Sequence, residues 1–426
     1  MGNNILYTGP EIIIPESVDI AMARAHVLPH GTRLFVIPAS QYEVVRFSFV
    51  FKAGTSWQQV PFSASATVNT LSEGSANMTS HQLAEKLDFY GSYFDVNIDR
   101  DWSVVTFVCL AKFFPETLKL AREILLYPLF PEEEIKVYCV KSKQNLTINR
   151  KKVDFNAREI FARSLYGNKH PYGSSSPAGA YDTLTSGDLR SFYEKHYTAR
   201  NCFVVMSGDV TDERREAVSA LVADMREGEE LTRNGFPQPV SIPSEFKEFP
   251  EALQSAIRIG RVLFPRSHPD YIGMQVLTTV LGGYFGSRLV QNLREQHGYT
   301  YGAYSAMVNF DRSGYMAIAT EVGSQFTEDA VAQIFHEIAR LRSEPVPESE
   351  LALVKNIMVG EVMRILDGPF GIADVTIENV QNNMDNNYVN DMIEAVRAIT
   401  PGRLLELAVK YMQESDFTTV VAGRGK

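Results

Sequence analysis

Gly282-Gly283-Tyr284-Phe285-Gly286-Ser287-Arg288-Leu289, continued by Leu293-Arg294-Glu295-Gln296-His297-Gly298-Tyr299-Thr300-Tyr301-Gly302, is the stretch on which the reading of this chain turns. Before it, Tyr271 to Leu281 is apolar enough for a buried helix that runs into the double-Gly turn. A short amphipathic helix should follow and stop at Gly298, since a residue without Cβ takes the left-handed conformation of a helix end at no steric cost. From Tyr299 onward the pattern predicts a strand. Tyr299, Tyr301 and Ala303 fall on one face of it, and Thr300, Gly302 and Tyr304 on the other.

This run resembles the C-terminal half of insulinase-type (M16, pitrilysin-like) zinc metallopeptidases, and the chain resembles a small, two-half (M16B-type) member. The resemblance spans about residues 25–423. It implies that Arg294 and Tyr301 bind substrate peptide by reaching across to a zinc site in the other half. It also implies an inverted zinc motif, His-x-x-Glu-His, on a helix shortly before Gly74. There two His would face one metal, and the Glu between them would act as base for the bound water. In this chain those positions fall on Ser65, Val68 and Asn69. A third ligand, a downstream Glu, falls near Gln144-Asn145. None of these supplies a thiolate, an imidazole or a carboxylate, so the expectation is that this chain binds no metal or other cofactor. Zinc is expected only in a partner subunit.

The eight histidines are His26, His30, His81, His170, His196, His268, His297 and His336. Only His26 and His30 are close, and Pro29 and Gly31 break any helix between them, which points to a turn before a strand at Arg33 to Ile37. His336 has Arg340, not a second His, one turn on. His81 belongs to the first turn of a helix, and His170-Pro171 to a loop. Cys109, Cys139 and Cys202 are scattered without a CxxC pair, which excludes cysteine zinc sites.

With 426 residues, 45% of them apolar, the chain can bury substantial cores in two or three domains. Its net charge of −10 has no long run of one sign, which argues against nucleic acid and anionic membranes as partners. No apolar window is long enough to cross a bilayer. Met1-Gly2-Asn3-Asn4-Ile5 shows no signal peptide, and three unclustered cysteines suit a reducing compartment, so a cytoplasmic location is expected.

The chain also repeats itself. Leu184-Thr185-Ser186-Gly187-Asp188-Leu189 matches Ile399-Thr400-Pro401-Gly402-Arg403-Leu404. In each a Thr caps a helix, with capping-box spacing in the first and Pro at the first helical position in the second. At the same offset each helix leads to a buried strand closing on Gly208 or Gly423. Pro131 and Pro347 each open a long helix, and Gly91 matches Gly298, setting Leu87 against Arg294 and Phe94 against Tyr301. The fold class expected is α+β. Two duplicated α/β-roll halves each form an antiparallel sheet with helices packed on one face, and by resemblance together make half of a clamshell. The domains expected are 1–226 and 249–426, joined by a Pro- and Gly-containing linker at 227–248.

Arg294 beside Glu295 has an ordinary reading as a surface ion pair. After a Gly-Gly turn it reads as a planar, bidentate ligand for a peptide carbonyl or carboxylate. Tyr301 is either packing in a strand or a phenol donor to a developing oxyanion. Tyr93 to Val96 is either an ordinary paired strand or a sheet edge that accepts a peptide as an added strand. The leading reading is a catalytically silent subunit that pairs with a zinc-bearing M16 chain, or with a second copy of itself, around a peptide. The alternatives are a binding or scaffold protein that does not hydrolyse, and a stand-alone peptidase with unusual ligands.

Overall fold

A computed structural model describes residues 23–233, 235–385 and 387–425. Met1 to Ile5, on which the signal-peptide expectation rests, lie outside the described residues. The strands are β1 (Arg24–Val27), β2 (Arg33–Pro38), β3 (Val44–Phe51), β4 (Tyr93–Ile98), β5 (Ser103–Leu110), β6 (Cys202–Gly208), β7 (Ser244–Glu248), β8 (Gln254–Leu263), β9 (Ala303–Asn309), β10 (Gly314–Gly323) and β11 (Thr418–Gly423). The helices of the first half are α1 (Ser63–Asn69), α2 (Ser80–Phe89), α3 (Phe114–Leu126), α4 (Glu132–Asn149), α5 (Val153–Tyr166), α6 (Ser186–His196) and α7 (Asp212–Ala223). Those of the second are α8 (Tyr271–Gly282), α9 (Thr327–Ser343), α10 (Glu348–Ile365), α11 (Pro369–Gln381), α12 (Tyr388–Ala398) and α13 (Pro401–Tyr411), with a π-helix at Val290–Gln296.

The first sheet runs β1-β2-β6-β3-β5-β4 and the second β7-β11-β8-β10-β9. Apart from β1 the two orders coincide strand for strand. Each sheet has one parallel pair, β2 with β6 and β7 with β11, and is otherwise antiparallel. Gly208 and Gly423 are the last residues of the matching strands β6 and β11. Gly91 and Gly298 both follow helices at φ +59° and +67°. Thr185 and Thr400 cap α6 and α13 as the repeat predicted, Thr185 within a complete capping box. The α+β class and the duplication expected from the sequence are present in the fold.

Alternation along the strands decides what each face meets. In β2, Leu34 and Val36 join the core under the first half's own helices, while Phe35 and Ile37 point the other way. Those two, with Val50, Phe203 and Val205, are covered by Ala373, Ile377 and Val380 of α11, a helix of the second half. The second sheet is completed reciprocally. Ile257, Ile259 and Ile318 face their own helices, and α5 of the first half lies on the opposite face. Ala157 of α5 meets Ala256 and Ala422, and a side chain at Gly260 would come within 2.8 Å of Phe161. Ion pairs tie each exchanged helix to its host: Arg46–Asp374 for α11, and Arg258–Asp154 and Arg163–Glu245 for α5. Strands buried on both faces explain the near-continuous apolar run of β6.

Three local expectations are corrected. His26 lies in β1, not in a turn. Residues 244–248, read as connector, form β7: Ser-Glu-Phe-Lys-Glu is an exposed edge strand, which needs only backbone pairing and so carries little apolar signal. The strand expected from Tyr299 starts only at Ala303. The Thr300 hydroxyl accepts from the Gly302 amide at 3.1 Å and forms a local turn that replaces the ladder there.

Candidate functional site

Arg294 sits in the last turn of the π-helix, a rare form that occurs frequently at functional sites. Its guanidinium lies 4.6 Å from the centre of the exposed Phe285 ring and 3.4 Å from Glu295, with 36% of the side chain still exposed. Tyr301 stands at the apex of the Thr300–Gly302 turn with 91% of its surface exposed. The strand-packing reading of Tyr301 therefore fails. It borders a surface cavity of about 370 Å³ with Tyr304, Arg258 and Asp154. The two residues lie on one connected segment, each with its own surroundings.

On α1, Val68 is buried at 1% exposure and packs in the first core. Ser65 is half-buried and its hydroxyl donates to the Phe62 carbonyl, while exposed Asn69 donates back to Ser65 O at 2.7 Å. Across from them α4 presents Tyr138. Burial pushes its phenol up, and its hydroxyl faces the Ser142, Ser65 and Asn69 side chains. Tyr181, stacked on Phe62 at 3.9 Å, closes the far side. Asn145 lies on the exposed side of α4. Where the resemblance calls for zinc ligands, the chain thus has serine, asparagine and tyrosine hydrogen-bonding one another, backed by a ring stack. Hydroxyls and carboxamides do not make a zinc site, and among the described residues no three His, Cys, Asp or Glu side chains cluster as metal ligands. The donor set does not fit the metal.

Among the described residues β4 is the terminal strand of its sheet and is hydrogen-bonded only to β5, and Tyr93 is well exposed on it. A polar centre that sequence reading missed lies where the two hairpins meet. Asp101, in the β4–β5 turn, accepts hydrogen bonds from Tyr172 Oη, Ser56 Oγ, Arg233 and the Asp311 amide of the β9–β10 turn, all within 2.8–3.0 Å. Arg233 comes from the connector and is held over Trp57 at 3.5 Å. The only sequence signal was the polar tip Asp99-Arg100-Asp101-Trp102. Nothing local ties it to residues more than a hundred positions away.

Comparison with known proteins adds the following. Residues 183–358 match the family model described as "Peptidase M16 inactive domain". An uncharacterized zinc protease, YmxG, of Bacillus subtilis is 22% identical over 324 residues, covering 75% of this chain and 76% of that protein. An uncharacterized zinc protease of Rickettsia felis is 24% identical over 66% of this chain and 68% of its own length. Among solved structures, a peptidase M16 inactive domain from Pseudomonas fluorescens superposes with a TM-score of 0.88 at 22% identity, covering 95% of this chain and 98% of that one. A protease from Helicobacter pylori superposes at 0.83 with 15% identity, over 95% and 100%. Duplicated sheets and shared architecture agree: the chain has the fold of the M16-like peptidase structures, and its residues 183–358 match the M16 inactive-domain model.

Proposed function

We propose that this protein is the non-catalytic subunit of a cytoplasmic M16-type peptidase. In this reading it presents Arg294 and Tyr301 to a zinc-bearing partner chain and helps to bind the peptide that the partner cleaves. The observation that carries the reading is the contrast between the two halves. The motif positions of α1 are turned over to packing and internal hydrogen bonds, whereas Tyr301 is almost fully exposed with no packing role to account for it. A phenol held out on a turn can donate to an oxyanion, and a guanidinium one helix-end away can hold a carbonyl or carboxylate. Both need a metal-bound water supplied from elsewhere. The second reading, a peptide-binding or scaffold protein without hydrolysis, alone or as a homodimer, is favoured by β4, which among the described residues is an edge strand and can add a strand without any chemistry.

The purified chain should carry no stoichiometric zinc by mass-spectrometric metal analysis, and should leave peptides intact. Mixed with an M16 chain that has an intact His-x-x-Glu-His motif and is encoded beside it, it should give hydrolysis that neither shows alone. In that mixture Tyr301→Phe or Arg294→Ala should lower kcat by about a hundredfold, the usual cost of one oxyanion donor. Full activity of the double variant would leave only the scaffold reading. About one zinc per chain, bound in the first half, would overturn both.

A further inference from the structure

A second cleft lies away from Arg294 and Tyr301, between the halves. A cavity of about 390 Å³ extends from Ser65 of α1 along α5 to Tyr315 of β10. It adjoins a more open one of about 860 Å³ between the two hairpin tips and α11. The cavities share Arg100 and Arg158, with Thr55, Val308 and Phe310. The smaller is walled by rings, among them Phe155, Phe161, Phe310 and Tyr315. Volumes of this size take a side chain to a few residues of peptide.

The charges at the junction are unbalanced. Among the described residues neither Arg100 nor Arg158 lies within ion-pair distance of a carboxylate, nor does either guanidinium make a hydrogen bond. The acids nearby are already engaged, Asp311 of the larger cavity by Arg312 at 3.6 Å. Glu159 is held by both arms of Arg150 at 2.9 and 3.0 Å, Asp101 by Arg233 and Tyr172, and Glu378 by Arg266. Asp99 accepts the Asp101 and Trp102 amides at 2.7 Å. Arg158 rests 5.2 Å from the Phe155 ring centre. Burial lowers the Arg100 guanidinium from its ordinary range. Burial pushes the Tyr315 phenol up, and Arg100, Arg258 and Arg158 offset part of that push. The wall of the smaller cavity therefore carries two guanidinium groups with no direct ion-pair or hydrogen-bond partner among the described residues, beside an aromatic surface, with Asp101 and Glu159 acting on Arg100 only at longer range. Arg100 is half-buried and Arg158 exposed at the rim; a ligand carboxylate gives both a hydrogen-bonded counter-charge and offsets the desolvation of Arg100.

We propose that this cleft binds a peptide carboxylate, clamped by Arg100 and Arg158 at the junction, with an adjacent aromatic or large aliphatic side chain in the ring-lined cavity. The chain leading to that group lies in the larger cavity. A free peptide C-terminus ending in an apolar residue supplies both features at once, and an Asp or Glu beside an apolar residue supplies the same chemistry from within a chain.

The test uses the full chain and three fluorescein-labelled hexapeptides read by anisotropy. One ends in Phe as a free acid, one is the same peptide amidated, and one is amidated with Glu-Phe inside. Binding of the free acid at least tenfold tighter than the amide, the usual scale for a hydrogen bond to a charged group, supports the clamp with a terminal carboxylate. Recovery of affinity by the internal Glu-Phe peptide assigns the carboxylate to a side chain. Arg158→Gln, on the exposed flank of α5, should erase the preference without disturbing the fold. Arg100→Gln should do the same, and Arg100→Lys should restore part of it. Equal affinity of all three peptides, or a preference that survives Arg158→Gln in a folded protein, overturns the proposal.

Discussion

Asp101 shows what single residues contribute here. It is 5% exposed, and Arg233, its ion-pair partner at 2.9 Å, has a side chain only 9% exposed. Removing one member of a buried pair leaves the other charged and unpaired, which typically costs about 3–5 kcal/mol. Asp101→Ala should lower unfolding free energy by that order in urea titration, whereas Tyr301→Phe, at an exposed phenol, should change it by less than about 0.5 kcal/mol. An Asp101→Ala protein as stable as the parent would mean that the contact between hairpins is incidental. At this scale the sequence was informative about absence. Residue types alone show that Ser65, Val68 and Asn69 cannot hold zinc. It was silent on what replaced the metal, because Tyr138 and Tyr181 reach α1 only through the tertiary fold, and silent on Asp101 for the same reason.

Helix ends and strand ends were the legible elements. Capping threonines, Pro131, Pro347 and the repeated glycines are local signals whose physics acts within a few residues. They gave element type and the duplication, and missed β7 and the late start of β9, where an edge strand and a side-chain turn override pattern. The glycines differ in what they tolerate. Gly208 has φ +95° and a Cβ there would sit 2.0 Å from the Val44 carbonyl oxygen, whereas Gly298 at φ +67° has open space around it. Gly208→Ala should cost at least about 2 kcal/mol by strain and displaced backbone, and Gly298→Ala only about 1 kcal/mol. Comparable losses in thermal denaturation would contradict the geometry. At the end of α6, His196 is 2% exposed, with Nδ1 donating to the Lys52 carbonyl. Burial depresses its pKa to about 4. The unfolded chain, with an ordinary value near 6.5, therefore takes up a proton that the folded one refuses. The stability contribution is whole above pH 6.5 and fades as pH falls from there to 4, by about 3 kcal/mol in all. His196→Gln should flatten that part of the pH profile; an unchanged profile would exclude this histidine as its source.

For the whole molecule the exchange of α5 and α11 matters most. Each sheet keeps one face under its own helices and has the other covered by a helix from the opposite half, so neither core is complete without both. Calorimetry should show a single transition with van't Hoff and calorimetric enthalpies in agreement. Two resolved transitions would show that the halves fold independently. The exchange could not be read from sequence. The amphipathic patterns of α5 and α11 state that they must be covered, but not by which sheet.

The same exchange imposes an order on biosynthesis. Phe35, Ile37, Phe203 and Val205 emerge from the ribosome well before residues 369–381 exist to cover them. Counted from Val205, when the face is complete, the wait at about 5–20 residues per second lasts roughly 10–35 s. During that interval the nascent chain shows water an apolar sheet face with no cover of its own, the kind of surface that general chaperones hold. Ribosome-bound chains stalled after β6 should be protease-sensitive and chaperone-bound, and those stalled well beyond α11 should be neither. Truncation anywhere between the two points leaves a protein with half of its first sheet bare.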